Sequence, residues 1–140
     1  MTHTLLQYDE PLAVVRLGPG ADIPVWAVSG TLFSVTATAS ETSLVCAQVG
    51  VPRKARHEGP FTAFSVQGPL DFALTGVLSA LLAPLAEEEV PVFTVSTFDT
   101  DWILVPAGQA ERAADAWRRS GHDVRPATQP ADPSSEEGTA

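Results

Sequence analysis

The chain has 140 residues, of which 44% are hydrophobic, and a formal net charge of -9. This length suits one domain or two very small ones, and the apolar content is enough to build a core. With eight basic residues against 17 acidic ones, binding to nucleic acid or to an anionic membrane is not expected. No apolar run approaches the roughly 20 residues of a membrane span, and no signal-peptide core is present, so we expect a cytoplasmic protein.

The first part of the chain has the pattern of short strands with little helix. Residues 11–17 carry β-branched valines and stop at Gly18-Pro19-Gly20, which predicts a strand. A brief helical turn over 21–27 and a hairpin of 31–38 with 42–48 follow. Residues 50–59 are rich in charge, proline and glycine, which indicates a linker, so residues 1–59 are predicted to form one unit.

The second part, residues 60–125, alternates strands and helices. A strand over 61–67 and a turn over 68–72 lead into a helix with an apolar face at Leu74, Val77, Leu78, Leu81, Leu82 and Leu85. Two strands, 92–95 and 102–105, flank a polar turn, and a second helix is predicted over 109–120. A short strand around Val124 completes the unit, and residues 126–140, without large apolar side chains, are predicted to be disordered.

This order of strand, helix, strand, strand, helix and strand predicts a split βαβ arrangement. The first part resembles a reduced copy of the same plan. The predicted fold class is therefore α+β, with two ferredoxin-like βαββαβ units, the first of them reduced. Their antiparallel sheets would lie side by side, with the helices on one face.

The polar turn between the two strands, Ser96 to Asp101, is the strongest candidate for a site. Hydroxyl and carboxyl groups there could cap their own turn or line a pocket. Asp99 and Asp101 could instead hold a divalent cation, although no third acidic group is nearby. The turn at Gly68 to Phe72 leads into a helix, whose free amides favour an anion such as a carboxylate. No catalytic triad or nucleotide-binding loop is present, and we predict no cofactor.

Together these segments resemble ACT-domain proteins, and more narrowly a small tandem-ACT family related to the cytosolic arginine sensors of animals and the regulatory domains of aspartate kinase. The resemblance extends over about Leu12 to Val124. It is carried by Gly68-Pro69-Leu70, Gly76-Val77-Leu78, Ala83-Pro84-Leu85-Ala86, the strand Val92 to Val95 and the turn Ser96 to Asp101.

The resemblance implies a sensor that holds an amino acid between two ACT units. Thr97, Phe98 and Asp101 would line the pocket for the ligand side chain, with Asp101 pairing with a cationic group. Backbone atoms from Asp71 to Val77, including Gly76, would contact the amino and carboxylate groups of the ligand, near the helix-entry turn at Gly68.

From this we expect a non-catalytic regulatory protein that binds a small amino acid, which could be cationic, and that forms a homodimer or contacts a protein partner. Two other functions stay open at this stage. One is a metal-dependent enzyme that uses Asp99 and Asp101, and the other is a purely structural oligomerisation module.

Overall fold

The computed structural model describes residues 2–71 and 75–127. Within them, eight strands form one sheet and two helices pack on it, which confirms the predicted α+β, ferredoxin-like class. The strands are β1 (Thr4–Gln7), β2 (Leu12–Leu17), β3 (Ser34–Ala37), β4 (Thr42–Ala47), β5 (His57–Val66), β6 (Phe93–Ser96), β7 (Asp101–Pro106) and β8 (Asp123–Pro126); the helices are α1 (Val77–Glu87) and α2 (Ala110–Arg119). Short 3-10 turns cover Val25–Ala27, Gln48–Gly50 and Ala107–Gln109.

The ten-residue strand β5 lies at the centre of the sheet. β1 and β2 follow each other along one edge of β5, and β7 pairs with the other edge. β6 lies beyond β7, β4 and then β3 lie beyond β2, and β8 lies beyond β1. Every pair is antiparallel except β1 with β8, which is parallel.

Two features of this sheet differ from the sequence prediction. No strand is predicted at Thr4–Gln7, yet β1 lies between β5 and β8. The linker predicted for residues 50–59 is strand from His57 onward, because β5 continues through Pro60 without a break. Both strands pair with strands that are distant in sequence. Local hydrophobic periodicity does not report such long-range pairing.

The main core lies between the sheet and the two helices. On α1, Val77, Leu81 and Leu85 are buried, with Leu78 and Leu82 packed beside them, as the predicted apolar face requires. Leu74, the first residue of that predicted face, lies outside the described residues. On α2 the predicted face is buried in full, at Ala110, Ala113, Ala114 and Trp117.

A separate cluster covers the same side of the sheet at β2 and β4, where no helix packs. Trp26 and Ala27 of the first 3-10 turn pack there against Val15, Leu44 and Cys46. A 3-10 turn therefore takes the place of a helix in this part of the fold. Burial raises the pKa of the Cys46 thiol, which is consistent with an inert core side chain.

The opposite side of the sheet, here called the open face, has a third apolar cluster to which no residue of α1 or α2 belongs. Its half-buried members are Tyr8, Val14, Phe61, Phe93, Val95 and Trp102. The rings of Tyr8 and Trp102 stack with centroids 4.9 Å apart, and the Tyr8 hydroxyl is hydrogen bonded to Ser65.

Neither α1 nor α2 is long and apolar enough to span a bilayer, and the described residues contain no other α-helix. The tail predicted for residues 126–140 lies outside the described residues from position 128 onward. Pro126 ends β8, and the Ala127 amide after it donates to the Gln7 carbonyl at 2.8 Å.

Candidate functional site

A cleft of about 310 Å³ opens between the start of α1 and the turn that joins β6 to β7. Both walls come from residues 70–101, so the described part of the second predicted unit supplies the whole lining. The lining residues are Leu70, Asp71, Gly76, Val77, Leu78, Ser96, Thr97, Phe98, Asp99, Thr100 and Asp101.

One wall is the first turn of α1. Gly76 is the residue before the helix, and its φ of 80° and ψ of 0° lie in the left-handed region, which favours glycine. Gly76 has no side chain, so it makes no side-chain capping bond to the helix. The first amides of an α-helix have no carbonyl partner within the helix, and an anion can bind to them.

The other wall is the β6–β7 turn, which is held by its own hydrogen bonds. The Thr97 amide donates to the Thr100 carbonyl at 2.8 Å, and the Thr97 hydroxyl donates to the same oxygen at 3.0 Å. The Ser96 hydroxyl donates to Oδ1 of Asp101 at 2.7 Å. Asp101 is thus oriented by a neighbour across the strand pair, on the same side of the sheet as buried Ile103.

Two hydrogen bonds tie the walls and the sheet together behind the cleft. The Leu70 amide donates to the Asp99 carbonyl at 2.8 Å, and the Thr100 hydroxyl donates to the Val66 carbonyl at 2.5 Å. Gly68 stands at this junction, where a β-carbon would lie 2.8 Å from the Leu70 nitrogen and 3.3 Å from the Asp99 oxygen. Gly68 therefore permits the close approach of the two turns.

Six of the seven ligand residues predicted from the sequence line this cleft: Asp71, Gly76, Val77, Thr97, Phe98 and Asp101. The seventh, Gly68, lies behind the lining and positions it. The sequence prediction omits Leu70, Leu78, Ser96, Asp99 and Thr100 from the binding set. All five residues adjoin predicted ones along the same two segments.

The charge of the cleft is one-sided. Three carboxylates, those of Asp71, Asp99 and Asp101, line it, and no Lys, Arg or His does. Across residues 2–71 and 75–127, no three His, Cys, Asp or Glu side chains converge as a metal site requires. The arrangement therefore suits an organic cation held by separate carboxylates better than a metal ion held by a cage.

The remaining candidates for acid–base chemistry lie away from the cleft. The His57 ring is hydrogen bonded to the Ala55 carbonyl at 2.7 Å. His122 is buried, its Nδ1 accepts the His3 amide at 3.1 Å, and the two rings stack. Burial, and then the neighbouring His3, lower the pKa of His122.

Comparison with known proteins gives two family matches and several solved structures. A family model described as an ACT domain matches residues 56–119, and a model for an N-terminal domain matches residues 10–54. No curated protein sequence matches the chain. A crystal structure of a protein from Agrobacterium tumefaciens is 30% identical, with a TM-score of 0.85, and the match covers 94% of this chain and 99% of that one.

Two further structures share the fold at lower identity. The regulatory subunit of aspartate kinase from Thermus flavus is 12% identical with a TM-score of 0.58, over 86% of this chain and 97% of that one. Aspartokinase III of E. coli, solved in complex with aspartate and ADP, has the same identity and TM-score over 83% of this chain but only 32% of its own. The family match and the fold together show that the chain belongs to the ACT-domain family.

Proposed function

We propose that this protein is a non-catalytic regulatory protein that binds a small amino acid in the cleft between α1 and the β6–β7 turn. The observation that carries the proposal is the cleft itself, which lies between the first turn of α1 and a turn that carries carboxylates. The carboxylate of an amino acid can bind to amides at the helix start, and its ammonium group can pair with the carboxylates of the cleft.

The acidic lining favours a ligand with a second cation in its side chain. Three carboxylates, those of Asp71, Asp99 and Asp101, line the cleft. A ligand with two cationic groups can pair with more of these carboxylates than a ligand with one. A basic amino acid, whose side chain would pair with Asp101, therefore satisfies more of the site than a neutral one.

Two of the solved relatives support the proposed regulatory role. One is named as a regulatory subunit of aspartate kinase, and another was solved with aspartate bound. Under this proposal the ligand regulates the protein by linkage. It stabilises the conformation or oligomeric state that binds it more tightly. The division into units at 1–59 and 60–125 and the cytoplasmic location stay part of the proposal.

A homodimer fits this function because one predicted unit supplies the whole lining of the cleft. All its lining residues come from residues 70–101. A ligand held between two ACT units would therefore need a second unit from another copy of the chain. We propose that the bound state is a dimer in which the second copy closes the cleft.

The test is a thermal-shift titration of each of the twenty amino acids, with Mg²⁺ and Ca²⁺ as separate arms. A ligand at a hundredfold excess over its Kd adds about 2.7 kcal/mol, which raises Tm by several degrees. Asp101→Asn should weaken binding of the stabilising amino acid about tenfold or more. Asp22→Asn removes an exposed carboxylate outside the cleft and should leave binding unchanged.

Two results would contradict the proposal. One is the absence of any stabilising amino acid at millimolar concentration, with stabilisation by a divalent cation alone, which favours the metal-dependent alternative. The other is an equal loss of binding in Asp101→Asn and Asp22→Asn. A dimer that forms without any ligand and is unaffected by all twenty favours a purely structural module.

A further inference from the structure

The basic residues of this acidic chain divide into two groups. Of the eight, Arg112, Arg118, Arg119 and Arg125 each lie within 3.7 Å of a carboxylate oxygen. In the part of the chain that the structure describes, the other four form no ion pair. These four, here called the basic patch, are Arg16, Arg53, Lys54 and Arg56, and all are exposed.

Two members of the basic patch are direct neighbours across a strand pair. The register that pairs Val14 with Glu58 and Val15 with His57 continues to Arg16 and Arg56, and the Arg16 amide donates to the Arg56 carbonyl at 2.9 Å. Like charges directly opposite each other on neighbouring strands are destabilising. The fold therefore tolerates a repulsion here that a single neutral residue would remove.

The rest of the basic patch extends this positive surface. Arg53 and Lys54 lie on the turn closed by the Ala55 amide and the Pro52 carbonyl, at 3.0 Å. The Arg16 guanidinium donates to the Ser40 carbonyl at 3.3 Å, which holds it in place without neutralising it. Glu58 is on the same side of the sheet two residues from Arg56, but it pairs with neither arginine among the described residues.

The basic patch adjoins the open face. Val14 precedes Arg16 by two residues on β2, so both side chains lie on the same side of the sheet. Val14 packs against the cluster that includes Phe61 and Trp102. A surface that runs from unpaired arginines onto partly exposed apolar and aromatic side chains has the composition of a protein interface, which is enriched in arginine and aromatic residues.

We infer that the basic patch, with the adjoining end of the open face, binds an acidic segment of a partner protein. Carboxylates of the partner would pair with Arg16 and Arg56, since guanidinium groups bind carboxylates through two parallel hydrogen bonds. Apolar side chains of the same segment would cover Val14 and Phe61. The net charge of -9 on the whole chain opposes long polyanions, so a short acidic segment fits better than nucleic acid.

This inference is independent of the cleft, because none of its residues lines it. The probe is a fluorescent peptide in which glutamates alternate with leucines, measured by anisotropy at low salt without any amino-acid ligand. Arg16→Gln with Arg56→Gln should weaken binding about tenfold or more. Arg112→Gln with Arg119→Gln makes the same charge change at arginines that are already paired, and should change affinity less than twofold.

Three further measurements complete the test. Arg53→Gln with Lys54→Gln is a second patch variant, on the turn beside the strands, and should also weaken binding. Amide chemical shifts of Val14 and Phe61 should move on titration of the peptide. The Arg16 and Arg56 double variant should melt at the same temperature as the wild type or higher, since a like-charge pair is removed, which separates loss of binding from loss of folding.

The inference is overturned by equal losses in the two arginine double variants, or by no binding of the peptide at all. It is also overturned if a DNA duplex or phosphatidylserine vesicles bind the patch more tightly than the peptide does. Tighter binding of the duplex or of the vesicles would mean that the basic patch binds a nucleic acid or a lipid surface instead.

Discussion

The two ends of the sheet cover the same apolar side with different elements. Around β5 and β7, α1 and α2 cover one side with a core that includes Trp117 and Phe64. Around β2 and β4, a 3-10 turn carrying Trp26 and Ala27 covers the same side. The helical end buries larger side chains completely, whereas the other end leaves Val25 and Val49 each 92% exposed.

The difference shows how the reduced first unit can stay folded without a helix. A strand pair needs a cover over its apolar side, but the cover need not be a helix. Because β5 pairs with β2 at one end and with β1 and β7 at the other, the small end shares a strand with the well-packed end. We expect the helical end to supply most of the stability.

The largest expected effect tests this comparison through two tryptophans. Trp117 is fully buried, its indole donates to the Leu81 carbonyl at 2.8 Å, and its ring meets Phe64 edge-on. Trp117→Ala should lower the free energy of unfolding by about 3–5 kcal/mol. Trp26→Ala, at a half-buried site, should lower it by about 1–2 kcal/mol. Urea denaturation measures both.

If Trp117→Ala does not fold, Trp117→Phe keeps most of the apolar contact and removes the donor. The Leu81 carbonyl would then lose its indole partner, at a cost of about 1–3 kcal/mol. Equal losses for Trp117→Ala and Trp26→Ala would contradict the proposed difference between the two ends.

A smaller effect is expected at the joint between the two ends, where β5 changes partner. Gly59 has φ 155°, and a β-carbon there would lie 3.0 Å from the Leu12 carbonyl oxygen and closer still to Oε1 of Gln48. Gly59→Ala should lower the free energy of unfolding by about 1–3 kcal/mol. Gly108→Ala is the control, since a β-carbon at Gly108 meets nothing within 4 Å. A Gly59→Ala variant as stable as Gly108→Ala would contradict this prediction, because it would show that a β-carbon is accommodated at position 59.

The smallest effect is a pH dependence where β8 begins. His122 has a pKa below the ordinary 6.5, because burial and His3 disfavour its charged form. The unfolded chain therefore binds more protons below that pH, so stability is full above about pH 6.5 and falls as the pH drops below it. Melting temperatures across this range should show the loss.

His122→Asn separates this contribution from that of the carboxylates, which titrate in both proteins. An asparagine oxygen can accept the His3 amide in place of Nδ1 but does not titrate. The variant should show a shallower fall in Tm below pH 6.5. Identical profiles for the two proteins would rule out His122 as a source of the pH dependence.

Much of the site could be predicted because the resemblance to ACT-domain proteins rests on two segments that are each local in the sequence. The turn from Ser96 to Asp101 is held by bonds among residues a few positions apart, such as Thr97 with Thr100. The start of α1 likewise depends on Gly76, the residue before the helix. The role of Gly68 could not be predicted, since it concerns the distance to the Asp99 carbonyl, 31 positions away, at a junction that only the folded chain forms.

By itself, the sequence determined the two helices and the order of the strands from β2 onward, because apolar spacing reports which face of each element is buried. Only the tertiary structure decided that β1 joins β5 to β8 and that β5 runs through Pro60. These features rest on backbone pairing between distant residues. Such pairing depends on the backbone, which every sequence shares, and therefore leaves little trace in the pattern of side chains.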